Sequence, residues 1–96
     1  MADDSSVVRT EIVARGKIRY TMTIVNGRYS FSVSSSLTGD EYSEKVDDLT
    51  TKREIADSFF ELIVRNLVTP CSLKDVAEDF VAEIYSRLLG IEELNS

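Results

Sequence analysis

Asn26-Gly27 stands between two runs in which apolar and polar residues alternate, Lys17 to Val25 and Arg28 to Ser34. Both residues of this pair tolerate the positive φ that the two-residue turns between antiparallel strands require. Such a turn leaves one register: Val25 opposes Arg28, Ile24 faces Tyr29, Met22 faces Phe31 and Tyr20 faces Val33. Every apolar residue then meets an apolar partner on one face, and a slip of one residue would turn them all to the other side. Thr21, Thr23, Ser30, Ser32 and Ser34 mark the opposite face as wet. The hairpin therefore needs one apolar layer to cover it.

Thr51 to Gly90 supplies that layer as two amphipathic helices. Thr51 and Glu54 have capping-box spacing. Ile55, Phe59, Leu62, Ile63 and Leu67 recur at helical intervals, and Ala56, Phe60, Val64 and Val68 widen the stripe. So wide an arc calls for more than one covering surface. Pro70 stops the first helix, and Ser72 is placed as the N-cap of the second. Leu73, Val76, Ala77, Phe80, Val81, Ile84, Tyr85 and Leu88 form one face of that helix, and Gly90 fits a C-terminal cap.

The flanking strands follow less directly. Val7 to Ala14 reads as a strand with Val8, Thr10, Ile12 and Ala14 on one side and Arg9 and Glu11 on the other. A loop of Arg15, Gly16 and Lys17 then pairs Ala14 with Ile18 and Ile12 with Tyr20. Glu41 to Val46 reads as a short fourth strand anchored by Tyr42 and Val46, with Asp47 to Thr50 leading into the helix. The expected fold is α+β: an antiparallel three- to four-stranded meander with one face packed on a C-terminal helical hairpin, in the order ββββαα. Residues 7–90 form the domain in this reading, with tails at 1–6 and 91–96. Ile12, Ile18, Tyr20, Met22, Ile24, Phe31 and Val33 are expected to pack against Phe59, Ile63, Phe80 and Ile84.

The formal net charge of −6, with no basic block, argues against tight binding to nucleic acid or to an anionic membrane surface. No apolar run is long enough to cross a bilayer. A single Cys excludes an internal disulfide, and the polar, acidic start carries no hydrophobic signal segment. A cytoplasmic location is the expectation. The chain has no His, which removes the usual general base and the commonest metal ligand, so an enzyme is not expected. Cys71 sits near a helix start, where a thiol can become reactive, but it has no His or second Cys beside it. Asp75, Glu78 and Asp79 are the weak candidates for a divalent metal, read first as a solvated acidic face. The Asp47-Asp48 pair is read as favouring the helix start that follows. A helix-turn-helix reader of DNA would need a basic second helix, and this one is acidic. Arg9, Lys17, Arg19 and Arg28 form a small basic patch on the outer sheet face in this reading.

Asp47 to Glu54, the apolar helix after it, and Thr69-Pro70 leading into Leu73 to Phe80 are similar to an uncharacterised family of short, mostly clostridial proteins. The likeness runs over residues 17 to 85. It implies a strand hairpin followed by two helices with a Pro between them, in a bacterial cytoplasm, and it brings no activity. Members often carry a His before the matching Leu, where Ser72 stands here, so no site is carried over to this turn.

The resulting expectation is a small non-catalytic protein-interaction or structural domain of unknown function, with no cofactor, with an unidentified protein partner, and binding neither nucleic acid nor membrane. The alternative is a regulatory protein that binds a small ligand or a divalent metal. A carboxylate enzyme ranks third. Self-association as a homodimer is expected through Phe60, Val64 and Val68 or through an uncovered sheet edge.

Overall fold

A computed structural model describes residues 5–95, with side-chain environments through Arg87. The order is β1 (Ser5–Val13), β2 (Ile18–Val25), β3 (Arg28–Ser35), β4 (Tyr42–Thr50), α1 (Arg53–Arg65) and α2 (Pro70–Asn95). The strands form one antiparallel sheet in the order β1-β2-β3-β4, so β1 and β4 are its edges. Both helices pack on one face, which gives the α+β meander with a helical layer. No helix among the described residues is long and apolar enough to cross a membrane. The part of the expected N-terminal tail before Ser5 and the side chain of Leu88 lie outside the described residues.

The β2–β3 hairpin has the register that Asn26-Gly27 demands, from Val25 opposite Arg28 to Tyr20 opposite Val33. Asn26 (φ 52°) and Gly27 (φ 77°) both take positive φ. Tyr20, Met22, Phe31 and Val33 are buried beneath α1, where Ala56, Phe59, Phe60 and Ile63 meet them. The Phe31 and Phe59 rings meet edge to face, 4.8 Å between centroids. Ile24 and Phe80 join this core only partly buried.

The β1–β2 hairpin is different. Its turn has four residues, Ala14 to Lys17, and Ala14 and Arg15 are left-handed (φ 54° and 59°). Val13, not Ala14, pairs with Ile18, and Glu11, not Ile12, pairs with Tyr20. The one-residue slip exchanges the two faces of the strand. Ile12 is therefore 53% exposed on the outer face and leaves the expected core, while Arg9 and Glu11 point to the helix side. A bulge between Val7 and Arg9 lets Val8 and Arg9 share the position opposite Met22, and Val8 packs partly against the core.

β4 is longer than the sequence pattern suggested and continues to Thr50. Asp47, Asp48 and Leu49 together oppose Ser30, with Asp48 left-handed (φ 53°). The Asp48 amide donates to Ser30 Oγ at 3.4 Å, and Ser30 is buried although its row faces outward. Val46 does anchor β4 opposite Phe31, but Tyr42 is exposed.

α1 begins at Arg53, so its N-cap falls one residue after Thr51. Lys52 takes the N-cap position with no side-chain cap, so the Thr51–Glu54 capping box does not form. The Lys52 amide donates instead to Thr50 Oγ1 at 3.0 Å. At its other end α1 stops at Arg65. Leu67 is left-handed (φ 50°), the Leu67 amide donates to the Val64 carbonyl and the Val68 amide to that of Ile63. This is the paired closure of a Schellman ending. It turns Leu67 out to solvent, off the stripe to which helical spacing assigned it, and swings Val68 into the core. Pro70 opens α2 rather than only ending α1. Its missing amide hydrogen costs nothing at the first helical position, so Ser72 lies inside the helix and is not its N-cap. α2 runs on through Gly90 to Asn95, so Gly90 caps nothing.

Candidate interaction groove

The turn between the helices is fixed from below. Tyr20, wholly buried on β2, donates its hydroxyl to the Val68 carbonyl at 2.9 Å. That bond satisfies a carbonyl in the turn and gives a core phenol its partner. Burial pushes the Tyr20 hydroxyl pKa above its ordinary value. Leu73 and Ala77 seat the first turns of α2 in the core. Farther along, Phe80 reaches α1, its ring 5.0 Å from that of Phe59.

Beside this contact a groove of about 480 Å³ opens between the helices. Ile55 and Leu62 of α1 and Phe80 and Ile84 of α2 make its apolar floor, and all four are half-buried. Glu61 and Arg65 stand on the α1 rim, Glu83 and Arg87 on the α2 rim. Arg87 pairs with Glu83 at 2.7 Å. Each rim thus carries one acid and one base four residues apart, which the i,i+4 geometry of a helix places side by side.

A second cluster ties the sheet edge to α1. Asp57 accepts from Arg9 Nη1 at 3.4 Å and from Arg53 Nε at 3.1 Å. Its hydrogen bond, and then its charge, raise the pKa of the Arg53 guanidinium. The Arg9 guanidinium lies 4.6 Å above the Phe60 ring, a cation–π arrangement. This cover explains why Phe60 is buried. Phe60 and Val68, two of the expected interaction residues, belong to the subunit's own core, and only Val64 keeps a partly open position. The slipped β1 register brings Arg9 over Phe60, and the Schellman turn takes Val68 inward.

The remaining candidates stay dispersed. Asp75, Glu78 and Asp79 are exposed on α2, and no three acidic or Cys side chains among the described residues converge on a metal-sized site. Cys71 is exposed as the second residue of α2. Lys17, Arg19 and Arg28 are exposed, but Arg9 lies on the opposite face, so the basic patch loses one member. Tyr85 is exposed rather than part of the buried face of α2. The groove itself was hidden in the sequence because Phe80 and Ile84 read as ordinary core positions. The usable signal was the repeated acid–base pair, Glu61 with Arg65 and Glu83 with Arg87, flanking apolar residues on both helices.

The model of a family of unknown function, DUF6514, matches residues 5–83. The chain belongs to the DUF6514 family. The match spans all four strands, α1 and the part of α2 that reaches Phe80 and Glu83, and ends just before Ile84. No curated protein and no solved structure matches the chain. The DUF6514 assignment agrees with the resemblance to an uncharacterised family and brings no activity with it.

Proposed function

We propose that this DUF6514 protein is a non-catalytic interaction domain that receives an amphipathic helix of a partner protein in the α1–α2 groove. The observation that carries the reading is the half-buried floor of Ile55, Leu62, Phe80 and Ile84 between rims that bear both signs of charge. A helix laid in such a groove buries an apolar ridge at i, i+4 and i+7 and meets the rims with its flanking charges. Rims of mixed sign suit a partner helix that is itself mixed rather than strongly basic or acidic. The titratable groups at the groove are rim charges, and Glu83 is already paired with Arg87. That supports binding over proton transfer. The lone, exposed Cys71 fits a reducing, cytoplasmic setting.

A display library of amphipathic helical peptides, selected against the full chain, tests this reading. The expected result is binders with an i, i+4, i+7 apolar stripe whose affinity falls by about tenfold or more on Ile84→Glu or Leu62→Glu. Circular dichroism confirms that each variant is folded. A library that yields no binders, or binders indifferent to both substitutions, overturns it.

A further inference from the structure

Among the described residues β1 leaves one side of its backbone unpaired, since β2 is its only neighbour there. Edge strands of this kind are ready templates for another strand. The side chains on this edge follow a pattern that depends on the bulge. Val8 and Arg9 share one position, opposite Met22. Counted that way, Val7 stands two positions before Thr10 and Ile12 two positions after it. Both point to the outer face, and they are 66% and 53% exposed. One position from Thr10 on either side, the helix face carries Arg9 before it and Glu11 after it.

We infer that β1 pairs antiparallel with β1 of a second copy of this chain, about a two-fold axis through Thr10, to form one continuous eight-stranded sheet. The pattern is self-complementary in this register alone. Val7 of each copy meets Ile12 of the other on the outer face, and Arg9 of each meets Glu11 of the other on the helix face. An axis through Glu11 would set two carboxylates together, and an axis through Arg9 two guanidiniums, which opposes pairing. Arg9 is already held in place by Asp57 and by the Phe60 ring. Glu11 makes no ion pair among the described residues, so the second copy supplies its partner. Between the strand and α1 lies a cleft lined by Arg9, Glu11, Phe60, Glu61, Val64 and Arg65, and the two-fold closes it with the same surface of the other copy. Val64, the one expected interaction residue still at the surface, falls beside this seam. The other edge offers no such match, because β4 is broken where Asp47, Asp48 and Leu49 crowd opposite Ser30. The dimer does not depend on the groove reading: the two sites share Glu61 and Arg65 of α1, but the apolar floor of the groove, Ile55, Leu62, Phe80 and Ile84, is no part of the cleft.

Two measurements on the full chain test it. Sedimentation equilibrium across micromolar concentrations is expected to show a dimer. Glu11→Lys places like charges across the seam twice and is expected to raise its Kd by about tenfold or more, without changing the far-ultraviolet circular dichroism of the subunit. The second measurement reads the register. In a Cys71→Ser background, Thr10→Cys is expected to form a disulfide-linked dimer on mild oxidation, because directly opposed residues lie about 5 Å apart. Ile12→Cys is expected not to, since about four residues of strand rise, some 13 Å, separate the two copies of that position. A monomer at all concentrations, a dimer unaffected by Glu11→Lys, or cross-linking through Ile12→Cys in place of Thr10→Cys would overturn the inference.

Discussion

β1 and β2 lie side by side in one sheet, but only β2 alternates cleanly; β1 sets the apolar pairs Val7-Val8 and Ile12-Val13 around the polar run Arg9-Thr10-Glu11. β2 turns Tyr20 and Met22 wholly inward, whereas β1 shows Val7 and Ile12 to solvent and turns Arg9 toward the helices. Alternation says which residues share a face. It does not say which face is buried. For β2 that choice is made twice, by the Asn26-Gly27 turn and by a neighbour on each side. For β1 it is made by one neighbour, a turn with two left-handed non-glycine residues, and a bulge. An edge strand can carry charge inward because only half of it is enclosed.

The contrast can be broken most severely under β2. Phe59→Ala, which removes the ring that meets Phe31 and Phe80, should cost about 3–5 kcal/mol, read as a lower urea midpoint at constant slope. Tyr20→Phe should cost about 1–3 kcal/mol, because it leaves the buried Val68 carbonyl without its donor. The same residue sets a pH dependence. The folded-state pKa of Tyr20 is raised above 10.0, so the folded chain holds that proton after the unfolded chain has lost it. Its contribution is complete below about pH 10 and is lost as pH rises from there through the folded pKa. Stability measured from pH 9 upward should fall less steeply in Tyr20→Phe, in which nothing at that position titrates.

Smaller effects belong to β1 and its turn. Ala14→Gly should stabilise by about 0.5–1 kcal/mol, the relief of a left-handed Ala offset by the greater freedom of Gly when unfolded. Ile12→Ser should change monomer stability by less than about 0.5 kcal/mol. That result, set beside Phe59→Ala under dilute conditions, would confirm that β1 faces the other way. A loss for Ile12→Ser as large as a core truncation would restore the unslipped register.

The legible parts of this fold were those where two signals agree. Turn chemistry and alternation together placed Tyr20, Met22, Phe31 and Val33, and helical spacing placed Phe59 and Ile63. Where one signal stood alone at the end of an element, local geometry overrode it. Nothing in Ala14-Arg15-Gly16-Lys17 announces a four-residue turn, because Ala and Arg seldom take positive φ. Leu67 kept the helical interval but fell in the left-handed position of the helix ending, a place more often marked by Gly or Asn. Thr51 had capping-box spacing, but the helix opens one residue later, with Lys52 at the N-cap and no side-chain cap. Among the site residues, Phe60 and Val68 read as surplus apolar surface because their covers come from far along the chain, Arg9 for one and Tyr20 for the other. The groove escaped notice for the converse reason, since half-buried residues look like core in a sequence.

The bond from Tyr20 to the Val68 carbonyl gives the second helix a fulcrum. From Pro70 to Arg87 the helix extends about 26 Å, and its near end is bolted to the sheet through Val68, Leu73 and Ala77. Rotation about such an anchored end is amplified along the arm, so that about 10° at the turn carries Arg87 through some 4–5 Å. The apolar pair Phe80 and Ile84 lies partway out, where travel is roughly six-tenths to eight-tenths of that. A guest in the groove would therefore work against leverage set by a phenol on the far side of the core. Loosening that phenol would change the width of the groove without touching a single residue that lines it.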